Sequence, residues 1–323
     1  MTTSDVGAVV IGRNEGARLV ACLASLRGVV RRIVYVDSGS TDGSVAAARA
    51  AGADVVLLDR GRPFTAARAR NAGLAAFGPE PPAYVQFVDG DCVLRDGWIE
   101  TARAFLDAHP RAGIVCGRRR EREPAASVYN RLCDREWDTP IGPARACGGD
   151  MLARTSALGD VRGFRDDLIA GEEPELCVRL RSEGWTIWRI DAEMTLHDAA
   201  LTRFAQWWRR SRRAGFAFAQ GAWLHGAPPE RHWTTETRRA LAWGAALPVA
   251  ALIGAVASPA ALLALLAYPA QVVRLALRAG PRRRTSWEWA FFTTLGKLPE
   301  ALGALAFQRR RVFGRRADLI EYK

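Results

Sequence analysis

The chain has 323 residues, 49% of them hydrophobic and 25% charged, with a formal net charge of +12. The hydrophobic fraction excludes a disordered chain, and the length suits one large α/β domain with an appendage, or two domains. The charge is unevenly placed: residues 1–202 carry 26 basic and 28 acidic side chains and residues 203–323 carry 20 and 6, which argues against a uniformly basic nucleic-acid binder.

In chain order, Val6–Ile11 is a short β-rich apolar run entering a polar loop, and reads as a buried strand. Helical spacing follows over Arg18–Arg27, then a strand at Arg32–Asp37 ending in SGSTDGS, a helix at Ser44–Ala51 and a strand at Asp54–Leu58. A helix over Thr65–Phe77, a strand at Tyr84–Val88 ending in Asp89-Gly90-Asp91, a helix over Trp98–Ala108 and a strand at Gly113–Cys116 complete the alternation. Alternating strands and helices predict a mostly parallel sheet flanked by helices, with ligands outside the carboxyl ends of the strands. The run RRREREP from Arg118 reads as a solvated face, Ser127–Trp137 as a helix, and Gly171–Gly184 as an amphipathic helix with carboxylates in its first turn. The six cysteines are scattered singly without zinc spacing and read as small buried hydrophobes in a reducing compartment. The N-terminus has no basic region followed by a long apolar run, so no signal peptide is expected and the first domain is expected in the cytoplasm.

Residues 240–273 contain no charge over 34 positions, more than the ~20 needed to cross a bilayer once. Ser258-Pro259 divides them into two segments near the short limit for a span, ending at about Leu277. Arginines flank both ends, as in a hairpin with both ends in the cytoplasm; a re-entrant or interfacial hairpin fits the Ala, Gly and Pro content as well. Trp287–Phe307 reads as an interfacial helix followed by the basic cluster Arg309–Arg311. The expected division is a catalytic domain over 1–202 and a basic helical module over 203–323.

The polar motifs carry the chemistry. Asp89 and Asp91, two apart after a buried strand, can hold a hard divalent cation against phosphate oxygens. Asp37 can accept a hydrogen bond from a base or ribose, Ser38 and the glycines after it let backbone approach a ligand, and Arg70-Asn71 offer a charged fork and an amide. Glu172-Glu173 can supply a general base, and His197 a third metal ligand. Arg209 and Arg210 can bind a diphosphate or anionic headgroups.

VVIGRNEG, VDSGSTDGS, ARARNAG, FVDGD, CGGDML and GEEPELCVRLRSEGW occur in this order over residues 6–200. Together they resemble the family-2 inverting glycosyltransferases of the GT-A fold. The resemblance implies a nucleotide-diphosphate sugar donor and Mg2+ or Mn2+. It places donor binding on Ile11, Arg13, Glu15, Asp37, Ser38, Arg70, Asn71, Asp89, Gly149 and Asp150, and metal ligation on Asp89, Asp91 and His197. The family's base is usually the aspartate of a Glu-Asp pair; Glu173 stands there, one methylene longer, and its neighbour Glu172 is the alternative. The activity implied is transfer of one sugar to a lipid-linked saccharide in envelope or exopolysaccharide assembly, at the cytoplasmic face of a bacterial-type inner membrane, with no nucleic acid involved. Gln206-Trp207-Trp208-Arg209-Arg210 is similar to the QxxRW signature of processive synthases, with Trp out of place. A processive synthase, a nucleotidyltransferase and a catalytically dead membrane scaffold are the competing readings.

Overall fold

The computed structural model describes residues 3–314. The chain divides into two compact units: residues 1–124 with 133–200, and residues 125–132 with 201–323. The last nine residues of the expected basic module lie outside the described residues.

The first unit is a nine-stranded sheet with helices on its faces. Its strands are β1 (Thr3–Gly12), β2 (Val30–Asp37), β3 (Asp54–Leu57), β4 (Tyr84–Asp89), β5 (Cys92–Leu94), β6 (Ala112–Glu121), β7 (Gly142–Ala144), β8 (Met151–Arg154) and β9 (Thr186–His197). The order is β3-β2-β1-β4-β8-β6-β9-β5, with β7 on β9. The half β3-β2-β1-β4 is parallel, as the alternation requires. The other half is mixed, because β8 runs antiparallel to both β4 and β6, and β5 and β7 run antiparallel to β9. The parallel strands are near-continuous apolar runs covered on both faces, so Val9, Val34 and Val85 are wholly buried. The covering helices include α1 (Ala17–Leu26), α2 (Ser44–Ala50), α3 (Ala66–Ala75) and α4 (Trp98–Ala108). After the partly shared α5 (Val128–Glu136) come α6 (Thr155–Asp160) and α7 (Glu172–Ser182).

Two sequence expectations are corrected here. The RRRE run is the end of β6 rather than a solvated face: Arg118 and Glu121 are buried. A strand with period 2 can bury charges when each finds a partner, and Arg118 pairs with Asp134 and Asp138. In the sequence, His197 of MTLHDAA reads as following a short apolar segment; that segment is instead the 12-residue β9, whose apolar residues alternate with charges as in a half-covered strand. The six cysteines are free and buried, as expected.

The second unit is helical: α8 (Phe204–His225), α9 (Thr234–Leu241), α10 (Leu247–Ala257), α11 (Ala267–Arg278), α12 (Arg284–Leu295) and α13 (Lys297–Phe313). α8 and α13 approach closely at Gly303, where a Cβ would lie 2.0 Å from the Arg212 carbonyl oxygen. Continuous helical stretches Thr234–Ala257 and Pro259–Arg278, of 24 and 20 residues, are long and apolar enough to cross a membrane. They exceed the expected lengths because the helix runs back through Arg238-Arg239 and forward to Arg278. Ser258, with extended backbone, separates them. Leu252, Ile253, Val256, Leu263 and Leu266 are exposed along them. The single helix expected over Trp287–Phe307 is instead two, α12 and α13, which meet at Gly296.

In the first unit's core, the Trp98 indole donates to the Gln86 side-chain carbonyl at 2.8 Å, and both residues are at most 1% exposed. Trp98→Phe keeps most of the apolar volume but leaves that carbonyl buried without its donor. It should lower the unit's stability by about 1–3 kcal/mol, read from chemical unfolding.

Candidate active site

The register of the parallel strands places the site. Gly12 lies beside Asp37 and Ile11 beside Asp89, so the polar ends of β1, β2 and β4 fall on one edge. Gly90 donates its backbone N–H to the Ile11 carbonyl at 2.8 Å, which fixes the turn between Asp89 and Asp91. Asp37 is buried and shapes its own loop: it accepts from the Tyr35 hydroxyl (3.0 Å) and from the N–H groups of Gly39 and Ser40 (2.9 and 2.8 Å). Ser38 donates its N–H to the Gly12 carbonyl. Glu15, nearly buried, pairs with Arg18 at 2.7 Å, and Arg13 lies over the Phe64 ring.

Arg70 is the centre of the cluster. Its side chain, 3% exposed on α3, reaches Glu172 at 2.8 Å, Glu173 at 2.9 Å and Asp89 at 3.1 Å. Glu172 and Glu173 stand in the first turn of α7, where the helix dipole favours carboxylates. The loop before α7 is held by Asn71, whose amide donates to the Phe164 carbonyl and to Asp166 and accepts from the Phe164 N–H. Asn71 thus serves as a strut for α7 rather than standing open at the sheet edge. Burial and the adjacent Glu172 charge push the Glu173 carboxyl up to about 7, against the opposing pull of Arg70. The two arginines hold Asp89 below the usual carboxylate range despite its burial.

Sequence reasoning missed Arg119. It reaches Asp89 at 3.1 Å and Asp150 at 3.2 Å, and its guanidinium lies over the Trp137 ring. The available signal was the two-residue period of Arg118–Glu121, which sends Arg119 and Glu121 to the side opposite Arg118 and Arg120 once the run is read as strand. Asp150 is fully buried and braces the site: it accepts from the Asp89 N–H and from the Thr195 hydroxyl at 2.6 Å. Gly149 packs beside it, where a Cβ would stand 2.6 Å from an Arg70 nitrogen and 2.9 Å from an Asp89 oxygen. Any larger residue there would force the pair apart.

Asp91 and His197 meet at the ends of β4 and β9, with His197 Nε2 3.4 Å from Asp91 Oδ1. Ligand atoms of Asp91, Cys92 and His197 lie within 4.8 Å of one another. A carboxylate and an imidazole fit Mn2+ or Mg2+. Cys92 adds little to that set, because a thiol is a soft ligand poorly matched to these hard cations. Both Asp89 oxygens accept from guanidinium groups, and Asp89 also stands in a second group, with Cys92 and Asp150, whose ligand atoms lie within 4.8 Å of one another. Arg209, exposed, and Arg210, half-buried, lie on α8 of the second unit.

This architecture is the GT-A fold. Residues 8–144 match the family model "Glycosyl transferase family 2". It is 29% identical over 238 residues to the pre-mycofactocin glycosyltransferases of two Mycobacterium tuberculosis strains, CDC 1551 / Oshkosh and H37Rv. The match covers 68% of this chain, which spans about half (48%) of the length of those relatives. Among solved structures, a mannosyltransferase from Pyrobaculum calidifontis in complex with GDP-Man and Mn2+ superposes with a TM-score of 0.64 at 23% identity, covering 93% of this chain and 87% of its own. S. aureus TarS 1-349 superposes with a TM-score of 0.51 at 14% identity, covering 98% and 92%.

Arg70→Ala leaves three carboxylates without their shared counter-charge and should cost about 3–5 kcal/mol, measured by chemical unfolding of the first unit. Arg70→Lys should recover only part of this, since a single ammonium replaces a planar fork.

Proposed function

We propose that the chain is a membrane-associated, inverting glycosyltransferase. It moves one sugar from a nucleotide-diphosphate sugar to a hydroxyl of a lipid-linked saccharide in envelope or exopolysaccharide assembly. The observation that carries this reading is Glu173: a largely covered carboxylate 2.9 Å from Arg70, pushed up to about 7, poised as a general base at neutral pH. Glu173 takes the proton of the acceptor hydroxyl as its oxygen attacks the anomeric carbon. The bond from that carbon to the diphosphate oxygen breaks on the opposite face, configuration inverts, and nucleoside diphosphate leaves. Glu172, nearly buried against Arg70, orients that arginine and is the second candidate for the base.

Asp37 and the loop through Ser38, with Ile11, Arg13 and Glu15 across from it, form the nucleotide side of the donor site. Asp89, Arg70, Gly149 and Asp150 form the sugar side, with Asn71 supporting them. Asp91 and His197, with Asp89 beside them, would hold Mg2+ or Mn2+, which would supply positive charge for the leaving diphosphate. Catalysis belongs to residues 1–202 and membrane attachment to 203–323, with the two apolar helices in the inner membrane and the catalytic part on its cytoplasmic side. Arg209 and Arg210 would bind phosphate, of the donor or of lipid headgroups. Transfer of a single sugar is favoured over processive synthesis. Gln206 caps the start of α8, and Trp207 is buried in ring contact with Tyr129 and Phe292, so these residues build the helical unit.

Purified protein with Mn2+, a panel of sugar donors and bacterial lipid extract should release nucleoside diphosphate. Release of pyrophosphate would point to nucleotidyl transfer, and no turnover or binding across the panel would refute the reading. Glu173→Gln should lower kcat about 100- to 10,000-fold with donor binding retained. The wild-type rate should fall as pH drops below about 7, because the base is then protonated. Asp91→Ala should abolish the dependence of the rate on added Mn2+, and a rate that still rises with Mn2+ would remove Asp91 from the site.

A further inference from the structure

The geometry points to Glu121 as the residue that orients His197 toward the cation, an inference that rests on the reading of Asp91 and His197 as the cation-binding pair. Register places the groups: Cys92 of β5 lies beside His197 of β9, and His197 beside Glu121 of β6, so three neighbouring strands end at one level. The imidazole stands between two carboxylates. Nε2 faces Asp91 Oδ1 at 3.4 Å and Nδ1 faces Glu121 Oε2 at 3.8 Å. Trp137 packs edge-to-face on the same ring, with centroids 4.7 Å apart, which limits rotation.

Two further observations make Glu121 more than a neighbour. Its side chain is wholly buried and anchored by backbone N–H groups, Glu123 on Oε1 and Ala199 on Oε2, each at 3.1 Å. A carboxylate held that way cannot swing toward solvent. In addition, His197 Nδ1 is buried with no hydrogen-bond partner, and the carboxylate facing it is that of Glu121. When a cation sits between Nε2 and Asp91, the Nε2 lone pair is committed to it and the proton on Nδ1 is stabilised by the fixed Glu121 carboxylate. An imidazole with its second nitrogen held by a carboxylate is a stronger and better-aimed ligand. Glu121 touches neither donor nor acceptor in this scheme; it is a positioning residue acting through His197.

The test is binding of Mn2+ alone to the full chain, read by the loss of the free-ion electron paramagnetic resonance signal, with no sugar donor present. Glu121→Gln should weaken Mn2+ binding about 10- to 100-fold. His197→Ala should weaken it at least as much, and the double variant no further than His197→Ala alone. Unchanged Mn2+ affinity in Glu121→Gln, with affinity lost in His197→Ala, would overturn the role of Glu121 while leaving the cation site intact. Absence of Mn2+ binding in the unsubstituted chain, or no loss in Asp91→Asn, would overturn the cation site and this inference with it. Because the amide of Glu121→Gln can satisfy only one of the two anchoring N–H groups, a second measurement uses the unsubstituted chain. Two-bond 15N–1H spectra of 15N-histidine protein, with His197 assigned by its loss in His197→Ala, should show the Nδ1–H tautomer in saturating Mg2+, which is diamagnetic. The Nε2–H tautomer would overturn the inference.

Discussion

One guanidinium organises the first unit's polar edge. Arg70 extends from a helix that packs on the parallel half of the sheet, and it gathers a carboxylate from the end of β4 and two from the first turn of α7. Its burial would be costly alone, and so would theirs; each is tolerable because the others are present. Around it the acids outnumber the bases. Asp89, Asp150, Glu172 and Glu173 face Arg70 and Arg119, leaving negative charge in a site of low dielectric. Such a surplus is relieved by a retained proton or by a bound cation. The upward push on Glu173 is of the first kind, and ligand atoms of Asp91, Cys92 and His197 lie within 4.8 Å of one another close by.

The mixed half of the sheet explains how residues so distant in sequence reach this edge. A purely parallel sheet would deliver only strand ends from β1, β2 and β4. The antiparallel β8 starts at that edge instead, so the residues just before it, Gly149 and Asp150, arrive beside Asp89. β9 then carries Thr195 and His197 to the same level along β6 and β5. The close fit at Gly149 follows from this convergence, because the antiparallel return brings backbone against a charged pair where no side chain has room.

The parallel half of the fold was legible because its signals are local. Apolar runs such as Val6–Ile11, bounded by polar turns, specify buried strands without reference to the rest of the chain. β9 was not legible, since Arg189, Asp191 and Glu193 interrupt its apolar residues and β6, its main partner, lies more than 70 residues upstream. The same holds for Arg118–Glu121: four consecutive charges look solvated until Asp134, Asp138, Asp89 and Asp150 are brought to them. The sequence placed Asp89, Glu172, Glu173 and Arg70 among the polar residues of interest, but not their convergence on one guanidinium. Asn71 was legible as an amide near the edge, though its use as a strut depends on a loop 93 residues away.

The near absence of lysine acquires a physical reason in this arrangement. In the first unit, arginine is used where one cation must meet several oxygens in fixed directions: Arg70 contacts three carboxylates, and Arg119 contacts two with its face on Trp137. An ammonium could neutralise part of that charge but could not hold the oxygens in a plane or stack on the indole. In the second unit the constraint is different. Arg238, Arg239, Arg274 and Arg278 lie at the outer ends of helical stretches whose apolar side chains are exposed, where long stems can cover hydrocarbon while the heads remain in water. The net charge of +12 therefore comes from two uses of one side chain. The first unit carries slightly more acidic than basic side chains, and the excess of arginine lies in the helical unit, in part at the ends of its apolar stretches.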